Sequence, residues 1–166
     1  MREILFRGKD PDTGKWCEGQ YIHLHKTTYC VKEDYDQTSD NDIHQIVFER
    51  MTDWGLPNQH LRADVDPATV GQYTGLTDKN GVKIFEGDIV KTKKYGKICG
   101  HSNVNDFDAF AVTYEAAMFR LVNKSRGFNL VDDGASEFEV IGSVHDNPEL
   151  LEGGGEANGR TEMLEL

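Results

Sequence analysis

Apolar and polar positions alternate through much of the chain, and the runs are short. Residues 3–7 (EILFR) and 16–25 (WCEGQYIHLH) both have an extended pattern, and GKDPDTGK lies between them. In such a cluster Pro fixes φ, Asp bonds the nearby backbone and Gly tolerates positive φ. The pattern therefore predicts an N-terminal β-hairpin with a longer loop. In its second strand Ile22 and Leu24 share one face, while Tyr21, His23 and His25 share the other. Residues 26–64 are less regular. DYDQTSDND (34–42) reads as an acidic loop, and Gly55 and Pro57 punctuate MTDWGLPNQH (51–60). Ile43, Ile46 and Val47 fit either a helical turn or a short strand, because periodicity does not separate the two over so few residues.

The stretch 66–90, DPATVGQYTGLTDKNGVKIFEGDIV, is the densest in turn signals. Asp66 followed by Pro67 suits a cap and the first position of a helical turn. Asn80-Gly81 is the preferred pair for a type I′ turn and predicts a hairpin there. Glu86-Gly87-Asp88 reads as a second turn, with Ile89-Val90 entering the next strand. Alternation then returns at Ala109–Tyr114, Met118–Val122, Phe128–Val131 and Phe138–Val144. Strands at this spacing favour an antiparallel barrel or sandwich over a parallel sheet. Asn147-Pro148 predicts one short helical turn near the end. The expectation is a mainly β protein. It has an N-terminal hairpin and irregular segment over 1–65, a small antiparallel barrel-like core over 66–151 and a flexible tail over 152–166. Ile84, Phe85, Ile89, Val90, Phe110, Val112, Leu121, Val140 and Ile141 are the expected core.

The glycines of 66–90 do not form a known ligand loop. Gly71 and Gly75 lack the spacing and the following Lys-Ser or Lys-Thr of a phosphate loop, and no G-x-G-x-x-G is present. Counted from Asp78 as an EF-hand, Val82 and Lys83 stand where an oxygen ligand and a glycine are needed, and Ile89 stands where the closing Glu should be. The turn reading accounts for every residue. The triplet Gln72, Tyr73 and Thr74 is the one place where a rigid frame would present polar side chains, and it is the candidate interaction surface.

Composition narrows the function. The 166 residues are 37% hydrophobic, include 17 glycines and carry a net charge of −11, with most of the acidic excess after residue 100. Nucleic-acid binding rests on clustered Lys and Arg, so this balance speaks against it, with Lys91, Lys93, Lys94 and Lys97 as the only basic cluster. Cys17, Cys30 and Cys99 are three and widely spaced, which reads as free thiols in a reducing compartment. No signal peptide or membrane-spanning run is evident, so a soluble cytoplasmic protein is expected.

Three arrangements are candidates for chemistry. His23 and His25 share a strand face, a spacing that metal sites use, with Cys17 or Cys30 as a third ligand; no second close pair of ligands follows, and an exposed strand face is the simpler explanation. Cys99 and His101 are close in sequence, but a nucleophilic pair also needs an orienting third group. Asp106, Asp108, Asp132 and Asp133 fit acidic loops. The sequence therefore assigns no catalytic residue, no cofactor and no metal.

Three segments carry a resemblance: REILFRGKDPDTGKWCEGQYI, VDPATVGQYTGLTDKNGVKIFEGDIV and FEVIGSVHDNPELL. In this order and at these distances the chain resembles the YopX family of bacteriophage and prophage proteins. The resemblance implies a phage or prophage accessory protein in a bacterial cytoplasm, without an assigned activity and with no catalytic residues to carry over. It also implies self-association into a homo-oligomer. Contacts with a host or phage protein follow as the expected mode of action. The alternative is a nucleic-acid-related role, either single-strand binding by a small barrel or an acidic mimic of DNA.

Overall fold

The computed structural model describes residues 3–36, 42–92, 109–123, 126–130 and 138–151. The chain divides into two compact units, Met1–Thr77 with Gly81–Gly87, and Asp78–Asn80 with Asp88–Leu166. Each is built on one antiparallel sheet.

The first sheet has the order β4-β3-β2-β1-β5-β6. Its strands are β1 (Phe6–Lys9), β2 (Trp16–His25), β3 (Asp42–Arg50), β4 (Gln59–Asp64), β5 (Gly71–Thr77) and β6 (Lys83–Phe85). β1 and β2 form the expected hairpin, closing at Lys9↔Trp16. Asp10 makes its loop: Oδ1 accepts from Asp12 N at 2.8 Å and Thr13 N at 3.1 Å. Those bonds hold the Asp10 carboxyl below the usual carboxylate range. Asp66 caps the 3-10 turn Pro67–Thr69 by accepting from Ala68 N, as its sequence position indicated.

The middle of the chain is more regular than expected. A short helix α1 spans Lys32–Asp36, and β3 and β4 extend the hairpin into a continuous sheet. The ambiguous Ile43, Ile46 and Val47 are strand residues opposite Leu24, Tyr21 and Gln20. Pairing along β2 settles what local periodicity left open, and Ile46 becomes fully buried.

The second sheet has the order β10-β9-β8-β7-β11. Its strands are β7 (Asp88–Lys91), β8 (Ala109–Glu115), β9 (Met118–Asn123), β10 (Arg126–Asn129) and β11 (Glu139–Ser143). Ile89, Val90, Phe110, Val112, Leu121 and Phe138 are buried here. A bulge shifts the β7–β11 register between Val140 and Gly142. Such a bulge breaks strict alternation, and Val140 and Ile141 are half-buried where full burial was expected. The 3-10 turn Pro148–Leu151 follows.

The expected single barrel-like core over 66–151 is therefore corrected. Neither sheet closes into a barrel. β5 and β6 belong with the N-terminal strands, because Phe6 and Arg7 pair with Gln72 and Gly71 and Tyr73 N donates to Leu5 O at 2.8 Å. The tail 152–166 lies outside the described residues.

The turn at 78–82 also differs from expectation. Gly81 has φ +81°, but Asn80 is not at positive φ, so the turn is not type I′. Asp78 is the reason. Its buried carboxylate accepts from Asn80 N at 2.7 Å through Oδ1 and from Val140 N at 3.1 Å through Oδ2. Lys79 reinforces this, donating through N to Phe138 O and through Nζ to Glu139. Positive φ at two successive central residues occurs instead between β8 and β9, at Ala116 (+51°) and Ala117 (+61°), flanked by the pair Glu115↔Met118. Residues with a Cβ hold that conformation at a cost of about 1 kcal/mol or more each. Ala117→Gly is therefore expected to stabilise the protein by about 0.5–1 kcal/mol. An unchanged or lowered denaturation midpoint would refute this.

Candidate functional site

The expected interaction triplet does not form a presented surface. Tyr73 and Thr74 are buried, and only Gln72 is partly exposed. The Thr74 hydroxyl donates to Ile84 O at 2.8 Å, and the Tyr73 ring packs 5.5 Å from that of Phe85.

Polar side chains converge instead on one face of β2 and β3. Register places His23 opposite His44 and His25 opposite Asp42. Strands of fixed spacing bring directly opposed side chains together, and diagonal neighbours remain within reach. The His23 and His44 rings stack at 4.5 Å with 14° between planes. His25 Nδ1 lies 2.8 Å from Asp42 Oδ1, and His23 Nε2 lies 3.5 Å from the same oxygen. Tyr21 OH lies 2.6 Å from His44 Nδ1. The hydrogen bond from His25, aided by His23, holds the Asp42 carboxyl below its ordinary range. Partial burial, and secondarily the Asp42 charge, pushes the Tyr21 phenol upward, so it keeps its proton.

The β3–β4 hairpin carries a second feature. Met51, Trp54 and Leu56 lie in its loop, and Trp54 is 95% exposed. Polar bonds shape the loop beneath them: Thr52 Oγ1 donates to Pro57 O, Leu56 N to Asp53 O and Arg50 Nη2 to Gln59 Oε1.

The family model for YopX protein matches residues 5–152. The chain belongs to the YopX family. Among solved structures, the YopX chain is similar to protein EF1440 from Enterococcus faecalis. The two are 24% identical with a TM-score of 0.48, over 91% of this chain and 99% of that one. Among curated proteins nothing matches.

In this YopX member the histidines read from sequence are brought together, but with other partners than expected. Neither Cys17 nor Cys30 stands in the cluster that His23 forms with Asp42 and His44. Burial, with the Asp10 charge, pushes the Cys17 thiol upward, away from the thiolate a metal would need. Asp42 and His44 were missed. Their signal is the D-x-H at 42–44, which repeats the two-residue spacing of His23 and His25. Cys99 with His101, Asp106, Asp108, Asp132, Asp133 and the lysines at 93, 94 and 97 lie outside the described residues. Among the described residues, no helix is long and apolar enough to cross a membrane.

Proposed function

We propose that this YopX protein is a non-enzymatic accessory protein of a bacteriophage or prophage. It works in the bacterial cytoplasm through protein–protein contacts, as a homo-oligomer. The observation that carries this reading is the β3–β4 tip. A tryptophan left almost wholly in water forfeits the large apolar burial that its ring offers, and tryptophan is enriched among residues that dominate interfaces. Met51 (78% exposed) and Leu56 (59% exposed) extend the apolar surface around it. The hydrogen-bonded loop supports the ring in advance, which lowers the ordering cost of association. β4 is an edge strand of its sheet. Its outer backbone groups are a template for pairing, and a second copy related by a two-fold axis would pair with β4 antiparallel, which sets each tip beside the far end of the partner's β4.

Light scattering tests this. The full chain is expected to have a mass above that of one copy, and Trp54→Ala is expected to weaken association ~30-fold (about 2 kcal/mol). A wild-type protein that stays monomeric at high concentration would overturn the reading. Association unmoved by Trp54→Ala would overturn the role of the tip.

A further inference from the structure

We propose that His23, His44 and Asp42 bind one divalent transition-metal ion of the zinc class, with Tyr21 and His25 as outer hydrogen-bonding partners. One ligand atom from each of the three residues lies within 4.8 Å of the other two. Tetrahedral zinc, with bonds of about 2.0–2.1 Å, needs its ligand atoms roughly 3.3 Å apart. The His23–Asp42 pair already stands at 3.5 Å. The His44 ligand atom lies no farther than 4.8 Å from the other two, and rotation of its ring out of the stack with His23 closes the set.

The frame suits such a site. All three ligands stand on adjacent, directly paired strands and none on a loop, so the register that stabilises the sheet also sets the ligand spacing. His23 and Asp42 are half-exposed, at 46% and 50% of their side-chain surface, which leaves room for rotation and a fourth position open to water. Three protein ligands and one open position are the arrangement in which zinc keeps a water or other exchangeable ligand as its fourth, unlike the closed four-ligand structural sites.

The donor set selects the ion class. Two imidazoles and a carboxylate suit zinc and its neighbours among the late transition metals. Calcium and magnesium prefer six or more oxygens, and this face does not offer them. The outer partners also agree. With His44 bound through Nε2, its Nδ1–H donates to the Tyr21 oxygen at 2.6 Å. Such a bond fixes tautomer and ring orientation. His25 Nδ1 lies 2.8 Å from the same Asp42 oxygen that faces His23, and its hydrogen bond orients the carboxylate while leaving that oxygen a second lone pair for the ion.

The test titrates zinc into the metal-free full chain against a chromophoric chelator. One ion per chain is expected, with magnesium not competing. His23→Gln, Asp42→Asn and His44→Ala should each weaken binding at least tenfold, and Tyr21→Phe about tenfold through His44. His60→Gln, on β4 and paired with Glu49, should leave binding unchanged. Zinc should also shift the imidazole NMR signals of His23 and His44. No binding at micromolar zinc overturns the proposal, and so does His23→Gln binding as tightly as wild type. If His44→Ala fails to fold, the exposed His23→Gln decides alone.

Discussion

Gly19→Ala is expected to cost about 3 kcal/mol or more, a large effect for the addition of one methyl group. Gly19 is buried in β2 and pairs with Phe6 of β1. A Cβ built there overlaps the Val47 carbonyl oxygen and lies 2.9 Å from Ile46 Cγ2. Neither neighbour has an easy escape. Val47 is held in register opposite Gln20, and Ile46 is fully buried. The strain must therefore part β2 from β3 or displace the Ile46 side chain. Overpacking alone costs about 1–3 kcal/mol, and a loosened ladder adds to it. Both tryptophans, Trp16 and Trp54, lie in this unit, so denaturation followed by fluorescence reads the effect directly. The adjacent Glu18→Ala is the contrast. Glu18 is exposed, and it loses a 3.8 Å ion pair with Lys83 worth less than about 1 kcal/mol. Equal midpoints for the two variants would show that the close approach of β2 and β3 at Gly19 is not tight.

The same strand pair shows what could be read from the chain and what could not. That Tyr21, His23 and His25 share a face follows from the two-residue period of a strand. That Asp42 and His44 stand against them depends on register across a connection of some sixteen residues, which no local pattern encodes. Ile43, Ile46 and Val47 illustrate the same limit, since their spacing suits helix and strand until β2 supplies partners. Turn chemistry was legible where one side chain does the work, as at Asp10 and Asp66. It misled at Asn80-Gly81, where the Asp78 carboxylate takes the Asn80 amide and a second strand's Val140 amide. It was silent at Ala116-Ala117, which hold positive φ without a residue that favours it. Gln72-Tyr73-Thr74 looked presentable because its polarity was read without its partners. The hydroxyl of Thr74 is in fact spent on the Ile84 carbonyl.

Phe110→Ala is the largest loss expected in the second unit, about 4 kcal/mol. Phe110 has no exposed surface, stands opposite Val90 in the β7–β8 ladder and meets Phe128 edge-on at 5.7 Å and 74°. Removing the ring forfeits its transfer from water and leaves a cavity that the paired strands cannot fill, because their backbones are fixed by hydrogen bonds on both sides of β8. The lost edge-to-face contact adds about 0.5–1.5 kcal/mol. Phe110→Leu keeps most of the volume and should cost clearly less, about 1–2 kcal/mol. Tyr114→Ala on the same strand should cost less still, since that side chain is half-exposed. This unit has no tryptophan, so far-UV circular dichroism and amide exchange at Leu121 and Val112 are the measurements. A folded domain is stabilised by only about 5–15 kcal/mol, so the predicted loss should expose those amides to exchange well below the wild-type melting temperature. Wild-type protection at Leu121 in Phe110→Ala would mean that the buried side of β8 does not hold this sheet together.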